Sequence, residues 1–122
     1  MSPGPILVVD DDPSILDMVA QVLDFEGYPV QTAADGAAAL DAVAAARPSL
    51  VLLDMRMPVL DGWGFAQALR ARGVQLPIVV MTAAQDARRW AKEIGAAGYL
   101  AKPFELLELL AVVERLGPRP SA

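Results

Sequence analysis

The sequence predicts an α/β fold, a doubly wound five-stranded parallel sheet with five helices on its two faces. Two observations predict it. Runs rich in Val, Ile and Leu alternate five times with stretches whose apolar residues recur every three or four positions, at a spacing of about 22 residues. The strand candidates are continuous apolar runs rather than alternating ones, as in parallel sheets that are covered on both faces. A helix between each pair of strands calls for right-handed crossovers.

The elements follow in order. PILVVD (5–10) is the first strand. In PSILDMVAQVLDFEG, Ile15, Met18, Val19, Val22, Leu23 and Phe25 keep the helical spacing until Gly27 stops the helix. YPVQTA is the second strand, and DGAAALDAVAAARP is a helix that opens on Asp35 and is ended by Pro48. SLVLLD is the third strand, GWGFAQALRARG the third helix, and PIVVMT the fourth strand. DARRWAKEIG supplies the fourth helix, with Trp90 at the margin of a core stripe of Ala87, Ala91 and Ile94. GYLA is a short fifth strand and PFELLELLAVVERLG the last helix, with Leu106, Leu109, Leu110 and Val113 expected toward the core and Leu107, Ala111 and Val112 at or beyond its edge.

A chain of 122 residues is one domain's worth. Residues 1–117 are expected to form it, with 118–122 as a tail or the start of a linker. At 55% hydrophobic and 20% charged residues, global disorder is excluded. No apolar stretch approaches the roughly 18 residues of a membrane span, and MSPGP lacks the form of a signal peptide, so a cytoplasmic location without membrane contact is expected. A net charge of −5 argues against direct nucleic-acid binding by this domain. With no cysteine and no histidine, any chemistry must use carboxylates, hydroxyls, Lys and Arg.

In doubly wound sheets the ligand crevice lies outside the carboxyl ends of the strands, so the residues ending the strands matter most. Asp10, Asp11 and Asp12 end the first, Asp54 the third, Thr82 the fourth, and Lys102 with Pro103 follows the fifth. Asp12 before Pro13 is explained as a helix cap. Asp10 and Asp11 are not. Carboxylates that face one another repel unless a cation neutralises them, and Mg²⁺ suits a site of carboxylates, waters and a phosphoryl oxygen. Lys102, one of two lysines in the chain, can pair with Asp54 at rest and with phosphoryl oxygens later. The proline after it makes a cis peptide an expectation. The Thr82 hydroxyl is placed to meet a group that arrives, with Ala83 and Ala84 leaving it room.

Four stretches, ILVVDDDPSI, LVLLDMRMPVLDGWGF, PIVVMTA and GAAGYLAKPFELLELL, stand in the order and spacing of the receiver domain of two-component response regulators, which the chain resembles over nearly its whole length. The resemblance implies a flavodoxin-like sheet with strand order 2-1-3-4-5. It implies that Asp54 is the phosphoacceptor, that Asp11, Asp54 and the backbone carbonyl of Arg56 bind Mg²⁺, and that Asp10 does so through water. It further implies that Lys102 contacts the phosphoryl group and that Thr82 and Tyr99 form a switch pair. The implied function is a phosphoaccepting switch in a phosphorelay, fed by a sensor histidine kinase or phosphotransfer protein. The domain would catalyse only its own phosphorylation and dephosphorylation, and would pass the signal to a downstream protein through the surface of helix 4, strand 5 and helix 5, as a monomer or weak dimer.

The chain departs from the family pattern in three places. Arg56 either covers the phosphoryl group or stands as an exposed loop arginine. The segment between Thr82 and Lys102 is slightly shorter than in the family. The charges that many receivers of transcription factors carry on the fifth strand and last helix are missing, which leaves an apolar patch around Tyr99, Leu107 and Ala111 as the expected readout. Two other readings compete. A small aspartate-nucleophile phosphatase would want a second acid where Arg56 stands, and a phosphorylation-independent interaction module has no use for Asp11, Asp54, Thr82 and Lys102 together.

Overall fold

The computed structural model describes residues 4–120. The last two tail positions, 121 and 122, and the first three residues of the chain lie outside the described residues. The elements alternate as β1 (Ile6–Val9), α1 (Pro13–Phe25), β2 (Val30–Ala33), α2 (Gly36–Ala45), β3 (Leu50–Asp54), α3 (Gly62–Ala71), β4 (Ile78–Ala83), α4 (Ala84–Ile94), β5 (Gly98–Lys102) and α5 (Leu106–Leu116). The strands are all parallel, in the order β2-β1-β3-β4-β5.

The period-two geometry of a strand sends neighbouring residues to opposite faces, and each face builds its own core. Leu7, Val9, Val51, Leu53 and Val80 pack with Phe65 and Leu69 of α3 and Trp90 and Ala91 of α4. Ile6, Val8, Leu52, Val79 and Met81 pack with Val19 and Leu23 of α1 and Leu109 and Val113 of α5. Among the described residues no helix is long and apolar enough to cross a membrane.

Three helix starts are fixed by aspartate caps. The side chains of Asp12, Asp35 and Asp61 accept from the backbone N–H of Ser14, Ala38 and Gly64, at 2.9, 2.8 and 2.8 Å. Pro13 occupies the first turn of α1, where its missing N–H costs nothing. At α5 the Glu108 side chain reaches back to the Glu105 N–H, at 3.1 Å. Helix α4 begins differently. β4 runs through Ala83 into Ala84 with no residue between strand and helix, and no side chain caps the start. The short spacing between Thr82 and Lys102 is accommodated this way, and α4 starts at Ala84, two residues before the expected Asp86.

Two helix faces differ from expectation. On α1 the sheet-facing arc is Ile15, Leu16, Val19, Val22 and Leu23, so Met18 and Phe25 stand on its flank, 42% and 89% exposed. On α5 the arc is Leu109, Leu110, Val112, Val113 and Leu116: Leu109, Leu110 and Val113 pack inward as expected, while Val112 is buried and Leu106 half exposed, the reverse of the expected assignment for those two. A helix lying on a sheet buries an arc of roughly 100°, and heptad-like spacing leaves the centre of that arc undetermined by about one position. Helix α2 ends at Ala45 and not at Pro48, because Ala46 has already turned extended.

Candidate functional site: an acidic pocket at the carboxyl edge of the sheet

Strand register creates the site. Val9 lies opposite Leu53, so the next residue on each strand brings Asp10 beside Asp54. On the far side Thr82 pairs with Ala101 and Ala83 with Lys102, which carries the lysine past the end of β3 and over the two acids. The chain around Asp54 is drawn tight by Gly62, whose N–H donates to the Met55 carbonyl at 2.9 Å. A Cβ on Gly62 would stand 2.8 Å from Met55 Cα and 3.0 Å from the Asp54 carbonyl oxygen, so only glycine lets α3 start this close to the acid.

Asp10, Asp11 and Asp54 each present an oxygen within 4.8 Å of the others. Asp10 and Asp54 are buried and Asp11 is exposed, so the cluster opens to solvent on one side. Lys102 Nζ donates to Asp10 Oδ2 at 2.7 Å and lies 3.7 Å from Asp54 Oδ1. The expected pairing of Lys102 with Asp54 is therefore secondary to one with Asp10. Asp10 is fully buried, and its other oxygen accepts the Asp12 N–H at 2.9 Å. A fully buried carboxylate must be paired, and it takes the first claim on the cation.

Asp54 is left under-neutralised. Its Oδ1 accepts only a long bond from the Arg56 N–H, at 3.4 Å. Burial, and then the charge of Asp10, push the Asp54 carboxyl up from 3.8 to about 7; Lys102 and the Arg56 N–H pull against that rise, and Asp11 adds to it. Three carboxylates facing a single ammonium leave two negative charges uncompensated, and oxygen donors with that deficit suit a hard divalent cation. Mg²⁺ fits this donor set.

The Lys102–Pro103 peptide is cis. Thr82 is buried at the end of β4, while Tyr99 on β5 is 45% exposed and lies opposite Val80. The register puts Thr82 and Tyr99 on the same face of the sheet, two residues apart along the pairing. Arg56 is exposed, and its guanidinium lies over Trp90, 4.9 Å from the ring centroid. Trp90 itself is buried, in accord with the expected core margin.

Sequence reasoning missed two features of the rim. Trp63, at the start of α3, meets Trp90 edge to face at 4.7 Å and helps line an open cleft of about 360 Å³ with Asp11, Arg56 and Asp61. Its only advance signal was that the chain has two tryptophans. Val59, in the loop after Asp54, is 81% exposed with a φ of 69°, a left-handed conformation that β-branched residues avoid. No pattern in the sequence marks it.

A family model described as the response regulator receiver domain matches residues 6–114. The response regulator MprA of Mycobacterium sp. (strain KMS) is 46% identical over 121 residues, covering 98% of this chain and 53% of that protein. MprA of Mycobacterium avium (strain 104) is 45% identical over 113 residues, covering 91% of this chain and 50% of that protein. The chain thus spans about half the length of these curated relatives. Among solved structures, chemotaxis protein CheY4 of Vibrio cholerae superposes with a TM-score of 0.84 at 36% identity, over 94% of this chain and 99% of that one. The receiver domain of NtrX from Brucella abortus gives 0.83 at 35% identity, over 91% and 96%.

Proposed function

The chain belongs to the response regulator receiver family of two-component systems, and from that premise we propose that it is a switch phosphorylated on Asp54. The observation that carries this reading is the under-neutralised Asp54, buried among two further carboxylates and a lysine at the carboxyl edge of the sheet. The phosphoryl donor is the phosphohistidine of a sensor kinase or phosphotransfer protein. An Asp54 carboxylate oxygen attacks phosphorus, the P–N bond breaks, and the imidazole leaves with the electron pair. The product is an acyl phosphate, labile to water, so the signal is transient.

Asp11, Asp54 and the Arg56 carbonyl would hold Mg²⁺, with Asp10 acting through water, and the ion would supply positive charge to the oxygens in transfer. Lys102 is tethered to Asp10 with its amine 3.7 Å from Asp54 Oδ1. Small side-chain rotations bring it to a phosphoryl oxygen without losing Asp10. Thr82 then turns its hydroxyl toward the new oxygens, and Tyr99 moves inward from its half-exposed position. The surface so altered, α4, β5 and α5, carries Tyr99, Leu106 and Leu107 as exposed apolar groups and is read by a downstream protein. We place this activity in the cytoplasm. Chemistry on any substrate other than the domain's own Asp54 is not part of the reading, and Arg56 at the position of a phosphatase's second acid weighs against one.

Incubation with a small acyl phosphate and Mg²⁺ should add one phosphoryl group to the intact protein by mass spectrometry, with the label lost by chelation and in Asp54→Asn. Stoichiometric labelling of that variant would overturn the assignment.

A further inference from the structure

Arg56 is the residue at the pocket rim whose position the phosphoacceptor role does not explain. Its backbone N–H faces Asp54 Oδ1, yet its side chain turns away to lie over Trp90 of α4. Arg89 shares the same ring at 5.9 Å, but Arg89 is paired with Asp86 at 2.7 Å. Among the described residues Arg56 has no carboxylate partner. The ring beneath it is fixed from below: Trp63 meets it edge to face, and the Trp63 indole N–H donates to Glu93 of α4 at 3.1 Å. A cation resting on the face of a clamped indole, unpaired and rooted two residues from a nucleophile, is held by an interaction that an anion can outbid. A phosphoryl group offers two or three charged acceptors to the planar fork of a guanidinium, a stronger partner than the face of an uncharged aromatic ring.

We propose that Arg56 leaves the Trp90 face for the phosphoryl group on Asp54, so that occupancy of the site is reported to α4 by the unstacking of one side chain. The inference rests on Asp54 being the phosphoacceptor. It provides a connection to α4 that does not pass through Thr82 or Tyr99. It also acts on the helix least tied at its start, since α4 has no capping side chain and Trp90 is its largest buried anchor. Arg56 is thus a positioning residue for the acyl phosphate and a latch for α4 at once.

Nuclear magnetic resonance of the isotopically labelled 122-residue chain tests this. In the resting protein the Arg56 side-chain protons sit under the ring current of Trp90 and should resonate upfield of ordinary arginine positions. Addition of beryllofluoride with Mg²⁺, a phosphoryl mimic, should move them to ordinary positions or beyond and shift the Trp90 indole N–H signal. In Arg56→Gln, an exposed position where folding is not at stake, the Trp90 indole signal should already lie near its activated position and should lose that response. A fluorine signal from bound beryllofluoride reports on Asp54 independently. Bound fluoride with Arg56 still upfield, or an Arg56→Gln protein whose Trp90 signal moves as in the wild type, overturns the latch and leaves the phosphoacceptor role standing. Absence of any bound fluoride signal removes both.

Discussion

Helices α1 and α4 cover opposite faces of the sheet, both begin at its carboxyl edge, and they begin in opposite ways. α1 starts after a three-residue break from its strand, on the Asp12 cap and Pro13, with Asp10 accepting from the same turn of backbone. α4 starts directly from the last residue of β4, with no capping side chain, and is held by what it packs: Ala87, Trp90, Ala91 and Ile94. The first arrangement fixes the Asp10 carboxylate in place before any ligand arrives. The second leaves the helix nearest Thr82 tied mainly by side-chain contacts, which repack more readily than a hydrogen-bonded cap. The proposed switch needs both, a rigid site and a loosely tethered responder.

The comparison can be broken most forcefully at the α4 anchor. Trp90→Ala removes a nearly buried indole and the platform for Arg56, and is expected to cost about 3 to 5 kcal/mol in denaturant unfolding. A loss under 1 kcal/mol would mean that α4 is held by something other than packing.

The Asp54 side of the pocket carries a strain of another kind. Because the Asp54 carboxyl is raised from 3.8 to about 7, the folded state holds a proton there that the unfolded chain has already released. That contribution to stability is fully present below pH 4 and is lost as pH rises through about 7, so from this group the metal-free protein should weaken over that interval. Asp54→Asn should flatten the decline and raise metal-free stability near pH 8 by roughly 1 to 2 kcal/mol, while the stabilisation added by Mg²⁺ shrinks. Chemical denaturation at several pH values, with and without the ion, checks both signs.

Exchanging the helix starts sharpens the contrast. Asp12→Ala should cost about 1 kcal/mol through the lost cap, whereas Ala83→Ser, on a residue already extended at ψ 144°, should add a cap to α4 and gain about half as much. The same serine should slow hydrogen exchange in the first turn of α4 and leave α1 unchanged. The smallest effect is expected at Val59, where Val59→Gly relieves the positive φ at some cost in chain entropy, for a net gain of about 0.5 kcal/mol in thermal unfolding.

The five strand–helix units, the Asp12 and Asp35 caps, and the gathering of Asp10, Asp11, Asp54, Thr82 and Lys102 at one edge were legible from residue order alone. Local physics determines them. Apolar runs fix strands, short polar side chains before them fix helix starts, and parallel topology sends every strand's last residue to the same side. Tertiary structure decided what depends on rotation and competition. The arcs that α1 and α5 bury turn on one residue's worth of rotation, which left Phe25 and Leu106 outside and took Val112 in. Lys102 chose Asp10 over Asp54 because the two acids sit at different depths, and depth is not written in a linear sequence. Arg56, Trp63 and Trp90 come from three elements that meet only once the sheet has closed, so the stack they form has no sequence spacing to announce it.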